Sequence, residues 1–229
     1  MSSSTSRVSY PIPQSYSERL PTLEQTRHAA ALSRIELPSG TAFVRAAWNE
    51  KSVWPAQVER TYRFGPPPQL ARADGSFPFH WVYVASHVLT SVWEAGLCVN
   101  DVTRPDTFYI NTGAQNALIA TMTFDCPLRF VDISGIFASK LGIYDQIASP
   151  DHAWCQWFGA RLDELIATLG DDIDGIHYRS RRHTGRNAYA ISSRAIERLD
   201  ASRKTSICSF ESTPEFFELR ADPSCVSHP

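Results

Sequence analysis

The segment WVYVASHVLTSVWE, from Trp81 to Glu94, changes its periodicity part-way along. Trp81 to Ala85 is branched and alternating, which predicts a buried strand. From His87 to Leu97 the spacing is helical, with Ser86 as the expected N-cap. Val88, Leu89, Val92 and Trp93 would share one side of that helix, and His87, Thr90, Ser91 and Glu94 the other. Spacing leaves two uses open for Glu94. It reads as a solvated helix carboxylate, the commoner fate of a helical Glu, or as a carboxylate aimed into a cleft.

The remaining elements are shorter and more irregular. Residues 1 to about 20 are rich in Ser and Pro and predict a mobile or docking arm. Pro21 to Leu37 reads as a helix, with Thr22 at its N-cap and Glu24 in its first turn. After the turn Pro38-Ser39-Gly40 comes TAFVRAAW, a strand in which Phe43 and Arg45 face one way and Val44 the other. Residues 49 to 80 and 103 to 116 read as loops. LIATMTF (118–124) and LRFVDI (128–133) predict two strands broken at Cys126-Pro127. Asp151 is placed to cap a helix from His152 to Leu169, with Trp154, Phe158, Leu162, Leu165 and Leu169 on its apolar side. DGIHYRS (174–180) and NAYAIS (187–192) are strands flanking a basic loop. Strands outnumber helices and no repeat is visible, which predicts an α+β fold over a doubly wound parallel sheet.

Composition narrows the function classes. A chain of 229 residues can form one sizeable domain or two small ones, and a net charge of -2 gives no general attraction to nucleic acid or anionic membrane. Cys98, Cys126, Cys155, Cys208 and Cys225 have no metal-ligand spacing, and their odd number predicts reduced thiols. The opening residues lack the apolar core of a signal sequence, and no run approaches about 18 apolar residues. A cytoplasmic protein without a metal is expected. No dinucleotide-binding glycine motif, phosphate loop or nucleophile elbow is present.

What remains is a set of polar residues at strand ends. Arg45 lies in an apolar strand, where a charge must be paired or face a cavity; an ion pair and a phosphate contact fit equally. Tyr83 lies mid-strand and reads first as core. Ser180 ends a strand among Arg179, Arg181, Arg182 and Arg186, a loop suited to a solvated surface or to phosphate contacts. His177 and His183 have no readable nucleophile to activate.

Taken in order, Arg45 in its strand, YRFG at 62–65, WVYVAS leading into the helix that ends VWE, DGIHYRSR and NAYAI resemble the RES domain over roughly residues 38 to 195. That family is named for an arginine, a glutamate and a serine, matched here by Arg45, Glu94 and Ser180. Many members carry Gly-Gly-Arg-Trp-Asn where this chain has Tyr62-Arg63-Phe64-Gly65 and three prolines, and some have Tyr at the place of Ala46. The resemblance implies a single domain, residues 37–229 with a C-terminal tail, preceded by an extension over 1–36. Its fold would resemble the ADP-ribosyltransferase toxins, a central sheet flanked by helices. It also implies a toxin that cleaves the nicotinamide–ribose bond of NAD, its substrate, with water or inorganic phosphate as acceptor. The implied partner is an Xre-type helix-turn-helix antitoxin, with no direct contact to nucleic acid or membrane. In that role Glu94 would stabilise the sugar cation, Arg45 bind the pyrophosphate, Tyr83 pack against nicotinamide, and Ser180 meet the substrate or hold Glu94. Arg63 would be a further substrate contact. Transfer of ADP-ribose to a protein, or a non-catalytic binding module, are the alternatives.

Overall fold

The structure, a computed structural model, describes residues 8–149 and 152–227. In chain order its helices are α1 (Gln14–Ser17), α2 (Leu23–Ala31), α3 (Val88–Glu94), α4 (Gly135–Leu141), α5 (Tyr144–Ala148), α6 (His152–Leu169), α7 (Ile196–Asp200) and α8 (Pro214–Ala221). The strands are β1 (Arg34–Leu37), β2 (Phe43–Ala47), β3 (Trp81–Ala85), β4 (Cys98–Asn100), β5 (Phe108–Ile110), β6 (Leu118–Phe124), β7 (Leu128–Asp132), β8 (Gly175–Arg179), β9 (Asn187–Ser192) and β10 (Arg203–Ser209). Eight strands form one mixed sheet in the order β1-β7-β8-β9-β3-β2-β6-β10, and β4 and β5 form a small second sheet. Among the paired strands of the described residues only β7 and β8 run parallel, joined by α4, α5 and α6, as a parallel pair requires a long crossover. This is a single α+β domain.

Alternation along the strands sorts the core. Trp81, Ile176, Tyr178, Ala188 and Ala190 face α6, whose Trp157, Phe158, Leu162 and Leu165 are buried against them. Phe43, Val82, Val84, Phe130, Tyr189 and Ile191 pack on the opposite face with Leu199 of α7. Farther along the sheet, Val44, Ala46 and Ile119 are covered by Val92 of α3 and by Phe210.

Three expectations are corrected. The helix over 21–37 stops at Ala31, and Arg34–Leu37 instead pairs antiparallel with β7; alternating exposure of RIEL gives it an edge-strand role. Its start is as expected, a Thr22 capping box. The stretch 103–116 is not all loop, since Phe108–Ile110 pairs with β4. The segment after 200 adds β10, which pairs along its length with β6. Asp151 lies outside the described residues. Residues 8–20 lie on α6: the Tyr10 hydroxyl donates to Asp163 Oδ2 at 2.7 Å and its amide to Glu164 Oε1 at 2.6 Å. Among the described residues no helix is long and apolar enough to cross a membrane.

Candidate active site

The cleft begins where two neighbouring strands part. β2 and β3 pair at one position, Val44 opposite Ala85. Beyond it the backbone of β3 needs another donor, and Arg45 supplies one. Its Nη1 donates to the Tyr83 carbonyl at 2.6 Å and its Nε to the Ser52 carbonyl at 2.7 Å. Burial pulls its pKa down to about 10, so the side chain remains a cation at neutral pH. Two of its donors are spent on fixing it, and the residue lines the cleft.

Glu94 comes from α3. The helix starts one residue later than expected: His87 holds the N-cap position in extended backbone, while the Ser86 hydroxyl points to the Asn187 carbonyl. It ends at Glu94 because Gly96 takes a left-handed φ of 69°, closed by Leu97 N–H on the Val92 carbonyl. Both sides of the helix are used. Val92 is buried on the apolar side, and Ser91 accepts the Ala46 amide at 2.5 Å from the polar side, locking α3 to β2.

A carboxylate at a helix C-terminus meets the negative end of the helix dipole. Two hydroxyls compensate. Ser180 Oγ donates to Glu94 Oε1 at 2.5 Å, and the Tyr178 hydroxyl donates to Oε2 at 3.1 Å. Ser180 in turn accepts the His183 amide at 2.9 Å, which aims its proton at Glu94. Burial, reinforced by the charge of Glu94, raises the Tyr178 phenol well above its usual pKa and keeps it a donor.

Arg63, Tyr62 and Tyr83 complete the adjoining wall. The Arg63 guanidinium carbon lies 4.7 Å from the Phe64 ring centroid, and its buried Nε has no hydrogen-bond partner among the described residues. Tyr83 meets Tyr62 and Tyr178 edge to face, with centroids at 5.8 and 6.4 Å. Its hydroxyl accepts the Phe64 amide at 3.1 Å, and burial raises its pKa. The loop bearing these groups is pinned from below. Trp81 Nε1 donates to the Phe64 carbonyl at 2.6 Å, and Gln156 Nε2 to Thr61 Oγ1 at 3.0 Å.

The basic loop divides. Arg181 and Arg182 line the cleft, Arg181 held by the Ser149 carbonyl at 2.5 Å. Arg179 instead bonds Asn187, and Arg186 lines a separate hollow beside Glu215 and Glu218. His183 contacts Thr90, and His177 lies 2.9 Å from Asp132; neither lines the cleft. Ser180 is buried, its hydroxyl bonded to Glu94, and it is not among the residues that line the cleft.

Among the described residues the charged lining comprises the guanidiniums of Arg45, Arg63, Arg181 and Arg182 and the carboxylate of Glu94, with the imidazole of His152 beside them. Such a cleft suits an anionic ligand with one site of developing positive charge. Trp48 and Tyr178 are not site residues by sequence reasoning, and Tyr62 enters it only as the first residue of YRFG. Tyr178 was within reach: strand alternation puts it on the face of Ser180, two residues on. Trp48 carries no such signal, and the YRFG motif gives Tyr62 no role.

The family model for the RES domain matches residues 43–211. The chain belongs to the RES domain family. That family is associated with NAD-related toxins of toxin–antitoxin pairs, and its members typically pair with antitoxins. The RES match runs from the first residue of β2 past β10, so the segment from 200 to 211 belongs with the domain. No curated protein and no solved structure matches the chain.

Proposed function

We propose that this RES domain cleaves NAD at the nicotinamide–ribose bond and acts as the toxin of a toxin–antitoxin pair. The observation that carries the reading is Glu94, held through both oxygens by Ser180 and Tyr178, in a cleft also lined by the guanidiniums of Arg45, Arg63, Arg181 and Arg182. In this reaction the C1′–N bond breaks and its electron pair leaves with nicotinamide, which departs neutral. The ribose becomes oxocarbenium-like, and a fixed carboxylate beside it stabilises that charge. A water or phosphate oxygen then bonds to C1′; attacking water gives up a proton. Arg45 and Arg63 would hold the pyrophosphate, and Tyr83 would border the nicotinamide.

Preorganisation supports this use. Two donors fix Glu94 before substrate arrives, and two carbonyls fix Arg45, so little ordering remains for the transition state. Incubating the purified chain with NAD labelled in the ADP-ribose half tests the reading. Free ADP-ribose or its phosphorylated form is expected. Label retained on protein would replace it with ADP-ribosyl transfer, and unaltered NAD would overturn it. The neutralising partner would be a helix-turn-helix antitoxin, tested by co-purification with the product of the adjacent gene.

A further inference from the structure

Two large aromatic side chains at the cleft are left in water. Trp48 is 46% exposed and Tyr62 is 56% exposed, and both line the cleft that holds Glu94. The aromatic series leading to them has a direction. Tyr178 touches Glu94 and is fully buried, Tyr83 packs on it half-buried, and Tyr62 packs on Tyr83 as the outermost ring. Trp48 follows β2 directly, three residues beyond Arg45, so its backbone is about 10 Å further along the extended chain.

We propose that Trp48 and Tyr62 bind the adenine ring of a dinucleotide, a point that rests on reading the cleft as an NAD site. With the ribose at Glu94 and the pyrophosphate on the arginines, the unassigned half of the substrate is adenosine. Trp48 and Tyr62 are the exposed aromatic rings of the lining, whose other unassigned members are His152, two serines and small apolar residues. A purine has two flat faces and gains from an aromatic ring on either of them. The arginines beneath hold the adjoining phosphates, so one ligand satisfies both chemistries. The aromatics would thus set the preference for a dinucleotide over its nicotinamide half.

Binding of ADP and of inorganic pyrophosphate, measured by calorimetry, separates the ring from the charge. Trp48→Ala and Tyr62→Ala are each expected to weaken ADP roughly tenfold, the size of one lost base stack, and to leave pyrophosphate affinity unchanged. Trp48→Phe should retain most of the ADP affinity. Equal loss for both ligands, or no loss for ADP, overturns the proposal and would leave these rings to a protein partner. So would a wild-type protein that binds ADP no more tightly than pyrophosphate, whatever it does to NAD. Trp48-dependent ADP binding in a protein that leaves NAD intact would uphold the inference and reject the cleavage reading.

Discussion

The hydroxyl of Ser180 donates to Glu94 across 86 positions of sequence, at 2.5 Å. The contact joins the end of β8 to the end of α3, and it fixes one oxygen of the carboxylate that faces the cleft. Glu94→Gln keeps the size but removes the charge. It is expected to lower NAD consumption by roughly 10²–10³-fold with little change in melting temperature, the usual cost of one lost electrostatic stabiliser. Ser180→Ala leaves the charge but frees it, and a loss of roughly tenfold is expected, matching one hydrogen bond to a charged group. Turnover by the folded fraction decides. A Ser180→Ala protein as slow as Glu94→Gln would make Ser180 more than a support.

Tyr83 offers a test of ring against hydroxyl. Its ring touches Tyr62 and Tyr178, while its hydroxyl only accepts the Phe64 amide. Tyr83→Phe should keep most NAD turnover and lose about 1 kcal/mol of stability, since the amide loses its acceptor. Tyr83→Ala removes the wall itself and should cost about 3–5 kcal/mol, as truncated aromatics do. Denaturant melts and turnover, measured on the same samples, separate the two effects. Equal damage to turnover from Phe and Ala would assign the work to the hydroxyl.

The legible parts of this protein were those with a local signature. The switch at residues 81–94 announced a strand and a helix, and both formed, the helix starting one residue later than expected and ending at Glu94 short of Leu97. Helix α6 was readable from its apolar spacing. The edge strands were not: β1 and β10 are short or exposed on both faces, and pairing with β7 and β6 makes them strands. At the cleft, Arg45 was suspect because a charge stood among apolar residues. Nothing local showed that β2 and β3 would part beside it, and nothing in YRFG told Tyr62 in water from Tyr62 in a wall. Such facts arise from which strands become neighbours, and sequence spacing does not carry them.

Asp132 lies outside the cleft and reports on the fold. Burial pushes its carboxyl up, but His177 at 2.9 Å and the Ser134 amide and hydroxyl outweigh that and hold its pKa at about 2. The folded value is below the ordinary 3.8, so the stabilisation is complete above pH 3.8 and is lost as pH falls toward 2. Asp132→Asn should therefore cost about 1–2 kcal/mol near neutral pH, allowing for the solvent that reaches the side chain, and less below pH 3. Urea melts of both proteins across that range give the difference directly. A gap that widens on acidification would contradict the assignment.

Gly159 links the helix under the cleft to the loop above it. A Cβ at this position would lie 1.9 Å from the Phe64 carbonyl oxygen, a distance that backbone must move to relieve. The same carbonyl accepts Trp81 Nε1, and the residue before it is Arg63. Gly159→Ala should thus cost about 1–3 kcal/mol or more from overpacking, and it should also shift Arg63 and Tyr62. Gly175→Ala is the matched control: its Cβ would meet the Ala190 carbonyl at 2.1 Å, at the end of β8 away from Tyr178 and Ser180. Both variants are expected to melt earlier. Gly159→Ala should lose more NAD turnover per folded molecule, because its clash falls directly on the loop carrying Tyr62 and Arg63, whereas the Gly175 clash reaches the wall residue Tyr83 only through its strand partner Ala190. Equal turnover losses in the two would mean that the defect is general loosening of the sheet and that the 61–65 loop is not held in register by α6.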